Sequence, residues 1–359
     1  MNDRQSSDIS QMNILVTGGA GFIGCAIARR LAPLAHRYIV LDNLHPQVHV
    51  TRSRPQALHG RAELIIGDVT DSSAWDETLG RIRPDIVIHL AAETGTGQSL
   101  TEATRHGAVN VVGTTQLIDA LGRHEIRVRH IVLTSSRAIY GEGAWRAADG
   151  KVVYPGQRSR AQLETGLWDF PGLHTLAASA GKTWPMPTSV YGATKLAQEH
   201  VLQAWTQATG VQLSVLRLQN VYGPGQSLTN SYTGIVVLFS RLAKAGGSIP
   251  LYEDGQMTRD FVFIDDVADA ITRAVVLPPT TMRVCDVGSG QSSTIQQLAE
   301  SIAEFYHAPK PHVCGKFRDG DVRHGGCDIT ATLNELSWRP QSSLTGGMAA
   351  LHEWIADQL

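Results

Sequence analysis

The short apolar run Asn13-Ile-Leu-Val-Thr17 empties into a glycine-rich turn, with Gly18, Gly21 and Gly24 spaced three apart. "GFIGCAIARRLAP" then follows with helical spacing and stops at Pro33. A strand that turns this tightly into a helix fixes a β–α unit whose helix N-terminus faces the turn. Further apolar runs recur at "HRYIVLDNL", "AELIIGDVTD", "PDIVIHLAAETG" and "VRHIVLTSSRAIYG", and a helix is expected over roughly 101–122. Nearly all-apolar strands alternating with helices imply a parallel sheet covered on both faces. The expected architecture is doubly wound α/β.

Residues 142–188 break that rhythm, being rich in Gly, Arg and Trp without a clear period, and read as an insertion or lid. Regular structure resumes with a helix over 189–208 and a strand through "VQLSVLRLQNVYG". A helix is expected over 233–245. "RDFVFIDDVADAITRAVV" reads as a strand and a helix capped by Asp265 or Asp266. "RVCDVGSGQSSTIQQLAESIAEFY" repeats strand, turn and helix. The expected organisation is a Rossmann-type domain over 12–188 carrying the insertion, and its continuation over 189–220. A smaller C-terminal α/β lobe for substrate follows over 221–359, with a return to the main sheet near 258–290.

The 359 residues carry a formal net charge of −2, which leaves no basic surplus for a nucleic acid backbone. Any anionic ligand must be gripped by a few local arginines. The four cysteines form no C-x-x-C pair and the histidines no zinc spacing, so no metal is expected and the thiols read as reduced. No run approaches the length of a membrane span, and the polar "MNDRQSSDISQ" lacks the apolar core of a signal peptide. A cytoplasmic protein without membrane attachment is the expectation.

The glycine turn suits a dinucleotide, because backbone N–H groups can approach a pyrophosphate there. Asp42 ends the second apolar run, 24 residues after Gly18 (42 − 18). A carboxylate in that place accepts from a ribose 2′-hydroxyl and repels a 2′-phosphate, favouring NAD over NADP. Arg52 and Arg54 lie well past the strand end. Asp68 closes the third run, where an adenine amino group could be met. Leu90, Ala91 and Ala92 put small residues where backbone must pass close to the cofactor.

"YGATK" holds Tyr191 and Lys195 four apart, on one helix face. With the glycine turn, "HLAAE", "LTSSRAIYG", "LRLQNVYGPG" and "RDFVFIDDVADA", it resembles the extended short-chain dehydrogenase/reductases that act on nucleotide sugars. The likeness covers about residues 13–355 and implies Tyr191 as general base. Lys195 would stabilise the phenolate, lowering its pKa, and hold the nicotinamide ribose. Ser136, four before Tyr140, would supply the hydroxyl on the reacting sugar oxygen, with Ser135 as the alternative. The resemblance also implies Phe22, Ile23, Asn43, Val69 and Asn110 in the cofactor wall.

On the substrate side it implies Asn220 against the diphosphate, Arg259 and Arg318 on the nucleotide's phosphates, and Arg217 as a bracing residue. Dehydratases of this family carry Asp-Glu after the strand hydroxyl. Here Arg137 and Ala138 stand there, which leaves alcohol–ketone hydride chemistry, as in a 4-epimerase. "AAETGTGQS", "YPGQRS" and "FRDGDVRH" resemble a narrower group that converts dTDP-L-rhamnose to dTDP-6-deoxy-L-talose. That likeness puts Glu93, Thr94, Thr96, Gln98 and Ser99 in the sugar pocket beside Ser136 and Arg137. Arg158, Arg160 and Trp168 of the insertion would close over the sugar. The ligand is then a dTDP- or UDP-linked sugar. A UDP-hexose epimerase, a 4-ketosugar reductase and a dinucleotide-binding sensor are the alternatives. Relatives also imply a homodimer through the helices near 101–122 and 189–208.

Overall fold

A computed structural model describes residues 8–228 and 234–358. Its centre is one parallel sheet of seven strands: β1 (Asn13–Thr17), β2 (Arg37–Asp42), β3 (Glu63–Ile66), β4 (Ile86–His89), β5 (His130–Ser136), β6 (Gln212–Leu218) and β7 (Met282–Val287). They lie in the order β7-β6-β5-β4-β1-β2-β3. The chain runs outward from β1 to β3 and then returns to place β4 on the other side of β1. That reversal opens a crevice at the carboxyl ends of β1 and β4.

Strand side chains alternate between two cores. Ile14, Val16, Tyr38 and Val40 face one, with Ile27 and Leu31 of α1 (Phe22–Leu31). Leu15, Ile39 and Leu41 face the other, with Trp75 of α2 (Ser72–Arg81) and Leu117 of α3 (Gly113–Arg123). Burial on both faces is what made the strands read as unbroken apolar runs. α3 continues a helical segment that starts at Ala103 and passes through a π-turn at Gly107–Val112. The long helix α4 (Val190–Thr209) is capped by the Ser189 hydroxyl, which accepts from Gly192 N, and ends at Gly210 with φ 76°.

A second, smaller sheet joins Asn220–Tyr222, Thr258–Phe263, Ser292–Thr294 and His324–Gly325. Helices α5 (Ile235–Lys244), α6 (Ile264–Val276), α7 (Ile295–Phe305) and α8 (Leu344–Gln358) complete the fold. Residue 233 of the helix expected over 233–245 lies outside the described residues. Of the expected return to the main sheet near 258–290, Met282–Val287 pairs with β6 whereas Thr258–Phe263 belongs to the second sheet. Neither Asp265 nor Asp266 caps α6: the helix starts at Ile264, and both acids sit in its first turn. The Asp266 carboxylate instead accepts from the backbone N–H of Gln341 and Ser342. Among the described residues no helix is long and apolar enough to cross a membrane.

The insertion folds as a three-stranded antiparallel sheet of Trp145–Ala147, Val152–Val153 and Leu173–Thr175, with a helix at Arg160–Glu164. Of residues 142–188, Thr188 at the segment's end lines the cleft. Arg158 is buried and committed to Glu142 (2.9 Å) and Glu253 (2.9 Å). Its remaining donors reach the carbonyls of Trp168 and Asp321. Arg323 grips the same Glu253 (3.1 Å) with Asp254 (2.6 Å) and Asp169 (3.0 Å). Arg160 is exposed and pairs with Glu164 and Asp319, and Trp168 tilts against Phe317. None of the three expected sugar-closing residues lines the cleft. Two arginines and their carboxylates thus bolt the insertion to the smaller lobe.

Removing one partner of a buried ion pair strands the others' charge. Arg158→Ala should therefore lower unfolding stability by about 3–5 kcal/mol, read from the urea midpoint. Arg160→Ala should leave the midpoint where it is.

Candidate active site

A cleft of about 1080 Å³ opens at the carboxyl ends of β1, β4 and β5 and extends to the second sheet. That is the upper end of the range for a single small-molecule pocket. Its floor depends on two glycines. Gly18 has φ +66°, and a Cβ on it would come within 2.8 Å of the Ala91 backbone. A Cβ on Gly24 would lie 2.4 Å from the Gly19 backbone, so α1 packs down on the turn only because position 24 is bare. No side chain caps α1 at Gly21, which leaves its first-turn N–H groups to an anion in the cleft. Phe22 and Ile23 line the wall beside them.

Asp42 lies at the end of β2, held in place by two backbone donors: Ala20 N and Leu44 N, each at 2.9 Å. Arg54 donates to the carbonyls of Leu58, His59 and Ala62 and so brings no charge toward a 2′-phosphate. The Asn43 amide donates to Asp68 at 2.8 Å. Burial pushes the Asp68 carboxyl up, but donors from Thr70 and Asn43 outweigh it and leave the pKa below the usual value. Val69, Leu90, Ala91 and Ala92 line the cleft, as do Asn43, Glu93, Thr94 and Thr96. These residues fit a dinucleotide laid across the β1–β4 crevice. Asp68 is placed behind Asn43 and does not reach the lining.

Asn110 is also placed behind the wall. It sits in the π-turn, fully buried; its Oδ1 accepts from Glu93 N (2.8 Å) and its amide donates to Glu93 O and to Thr194 Oγ1. It fixes the backbone that carries Glu93 and is not itself on the cofactor face. Gln98 and Ser99 likewise turn away from the sugar pocket. Gln98 exchanges amide hydrogen bonds with Gln47, and the Ser99 hydroxyl donates to Thr96 O.

Ser135 and Ser136 both line the cleft but differ in their partners. Ser135 donates to the buried Glu199 carboxylate at 2.5 Å, and Glu199 also takes two bonds from Arg217 (3.1 and 2.8 Å). Ser136 is left at the strand end, facing the Tyr191 phenol. Burial raises the Tyr191 pKa above its ordinary value and the Ser136 hydroxyl lowers it, with burial the larger. The protein by itself thus does not depress this phenol, contrary to the expectation from Lys195. Lys195 is 2% exposed, and desolvation lowers its pKa to about 7 against the opposing pull of Glu199.

Sequence reasoning missed the residues that hold Lys195. Its Nζ donates to Gln198 Oε1 at 2.5 Å, and the Gln198 amide donates to Thr114 Oγ1 at 2.8 Å. Thr114 donates onward to Asn110 O (2.6 Å), so it accepts from His89 Nε2 at 3.0 Å. His89 Nδ1 then accepts from the Thr17 hydroxyl at 2.7 Å. Burial lowers the His89 pKa to about 3, so the ring is neutral. Gln198 lies three residues after Lys195 on the same face of α4, which is a usable signal. The tertiary partners Thr114 and His89 leave none.

Asn220, Arg259, Arg318 and Asp321 also line the cleft, as does Arg137, which follows Ser136 in the chain. Arg259 donates to Asp321 at 2.8 Å, and the Arg318 guanidinium lies 4.9 Å from the Tyr252 ring centroid. Arg217 is a bracing residue: besides Glu199 it donates to Tyr140 Oη, which donates to Asp286.

A match to the NAD dependent epimerase/dehydratase family spans residues 14–157 and 172–284. The chain belongs to that family. It is 63% identical, over its whole length and 99% of the other chain, to the dTDP-L-rhamnose 4-epimerase of Burkholderia thailandensis. The UDP-glucose 4-epimerase of Thermotoga maritima, solved with UDP-glucose, superposes with a TM-score of 0.80 at 27% identity, over 97% of this chain and 99% of that one. The UDP-glucose 4-epimerase of Thermus thermophilus in complex with NAD gives 0.77 at 27% identity, over 97% and 100%. The segment between the two stretches matched to the family, residues 158–171, falls inside the insertion.

The depressed Lys195 pKa has a definite signature in stability. An unfolded lysine titrates near 10.4, so between about pH 7 and 10.4 the unfolded chain holds a proton that the folded one lacks. Stability of the ligand-free protein should therefore rise with pH across that window. The rise should disappear in Lys195→Met, as measured by thermal unfolding from pH 7 to 9.

Proposed function

We propose that this protein is an NAD-dependent 4-epimerase of nucleotide-diphosphate sugars, converting dTDP-L-rhamnose to dTDP-6-deoxy-L-talose through a 4-keto sugar. One observation carries the chemistry: Ser136, Tyr191 and Lys195 line one stretch of the cleft, while the residues after Ser136 are Arg137 and Ala138. No carboxylate pair follows the strand hydroxyl to drive elimination. The 63% identity across the full length supports the sugar.

Tyr191 takes the proton from O4 while Ser136 holds that oxygen by a hydrogen bond. An NAD held by the Gly18–Gly24 turn, Asp42 and Lys195 would supply the hydride acceptor and donor for C4, and its cationic ring would offset the burial that raises the Tyr191 pKa. Lys195, aligned by Gln198, holds the ribose and supports the phenolate when protonated. The 4-keto sugar turns within the cleft, Tyr191 returns the proton, and the opposite configuration results. Arg259, Arg318 and Asn220 hold the diphosphate while the sugar turns; Arg suits this because its fork pairs with two phosphate oxygens. Asp42 favours NAD over NADP through the ribose hydroxyls.

Two further assignments belong to this reading. The outer surface near α3 exposes Leu100 (54%) and Val112 (46%), which suits a homodimer packed through the segments ending in α3 and α4. Light scattering should then return twice the 38.8 kDa chain mass. The four cysteines are unpaired thiols, in keeping with a reducing cytoplasm.

The test is a proton NMR time course of purified protein with dTDP-L-rhamnose and no added cofactor. A second dTDP-6-deoxyhexose with changed H4 coupling is the expected result. Conversion of a UDP-hexose alone would move the substrate, and activity only with NADH or NADPH and a 4-keto sugar would make the protein a reductase. Tyr191→Phe should retain NAD and lose about 10²–10⁴-fold in kcat.

A further inference from the structure

Arg137 lines the cleft without an ion-pair partner among the described residues. It begins the turn immediately after Ser136, and its one hydrogen bond among the described residues is a long one, 3.4 Å, to the carbonyl of Gly141. Two carboxylates act on it, and both are held by other groups. Asp321 accepts from Arg259 (2.8 Å) and from Val322 N. Glu142 accepts from Arg158 (2.9 Å) and from Arg323 N. Arg259 is itself a cationic neighbour, and desolvation together with that repulsion lowers the Arg137 pKa to about 10, still charged at neutral pH. A desolvated guanidinium without a counter-charge is costly, and arginine does not escape by losing its proton.

The fold nevertheless makes room for it. Gly325 pairs in register with Arg259 in the second sheet. A Cβ on Gly325 would fall 3.0–3.2 Å from Cζ, Nε and Nη1 of Arg137. The bare glycine therefore lets the Arg137 guanidinium lie flat against the strand, alongside Arg259. The two carboxylates that act on Arg137, Asp321 and Glu142, are each hydrogen-bonded to another arginine, so neither forms an ion pair with it.

We propose that Arg137 is a binding residue for the sugar-bearing phosphate of the substrate's diphosphate, which it shares with Arg259. This rests on the nucleotide-sugar reading above and deepens it. The placement selects the phosphate. Arg137 is adjacent in sequence to Ser136, at the reacting sugar, while its guanidinium reaches the strand position paired with Arg259. The phosphate that carries the sugar is the group both can reach. A dianion there supplies negative charge beyond Asp321 and Glu142, which are engaged by other arginines, and it fixes the pivot about which the keto sugar turns.

Calorimetric binding of dTDP and dTMP to the full chain tests this. dTDP carries the second phosphate and dTMP lacks it. Arg137→Met should weaken dTDP by about 10- to 100-fold, as for hydrogen bonds to a charged group, and leave dTMP within about 2-fold. Its ligand-free melting temperature should hold or rise, because an uncompensated charge has been removed; a structural arginine would lower it. Gly325→Ala, which leaves the guanidinium chemistry intact but crowds it, should weaken dTDP in the same selective way. Equal losses for dTDP and dTMP, or unchanged dTDP binding with only kcat reduced, would overturn the assignment. A wild-type protein that binds neither dTDP nor UDP would instead defeat the substrate reading, and this one with it.

Discussion

The buried Glu199 carboxylate fixes the helix of Tyr191 and Lys195 against the main sheet. It accepts from Ser135 on β5 and from two nitrogens of Arg217 on β6, and it is carried by α4. One side chain therefore clamps the helix that bears Tyr191 and Lys195 across two adjacent strands. Rotating α4 by even one residue would break three charge-assisted hydrogen bonds in an environment where each is hard to replace. The same clamp engages the Ser135 hydroxyl, while the Ser136 hydroxyl interacts with Tyr191. The position of the phenol relative to the strand hydroxyl thus follows from an ion pair that takes no part in the reaction.

The features legible in the sequence are those whose cause is local. Gly18 and Gly24 show in the turn because backbone contact forbids a side chain there, and Asp42 shows because it ends a strand at a fixed distance. Tyr191 and Lys195 show because a helix repeats every few residues. The features that were misread have distant causes. Arg158 looked free to reach a sugar, yet its partners Glu142, Glu253 and Asp321 lie 16, 95 and 163 residues away in sequence. Gln98 and Ser99 looked like pocket residues from their polarity, but a one-turn helix at Thr96–Ser99 rotates them off the cleft. Asn110, expected in the cofactor wall, is buried instead and bonded to the Glu93 backbone, 17 residues away in sequence.

The protonation states form a connected pattern. Burial alone moves Tyr191 up and Lys195 down, so the bare site disfavours charge on both. The chain from Lys195 through Gln198 and Thr114 to His89 is uncharged along its inner length, since His89 is neutral. It orients the amine without fixing its charge. A site arranged this way holds its groups in position while leaving their ionisation to whatever ligand charge arrives.

The main sheet also has a temporal consequence. Its last strand, β7 at Met282–Val287, pairs with Leu213–Leu218 of β6, yet the second sheet's strands at Asn220–Tyr222 and Thr258–Phe263 intervene in the chain. On the ribosome, β6 can join β5 as soon as it emerges, but its other edge stays open until the chain has passed residue 287. An open apolar edge in a parallel sheet is a template for unwanted pairing. The nascent protein therefore passes through a stage in which six strands are complete and the seventh is still being made. The Asp286 carboxyl that receives Tyr140 arrives with that strand. The interior behind Ser136 is closed only when the smaller lobe has been largely synthesised.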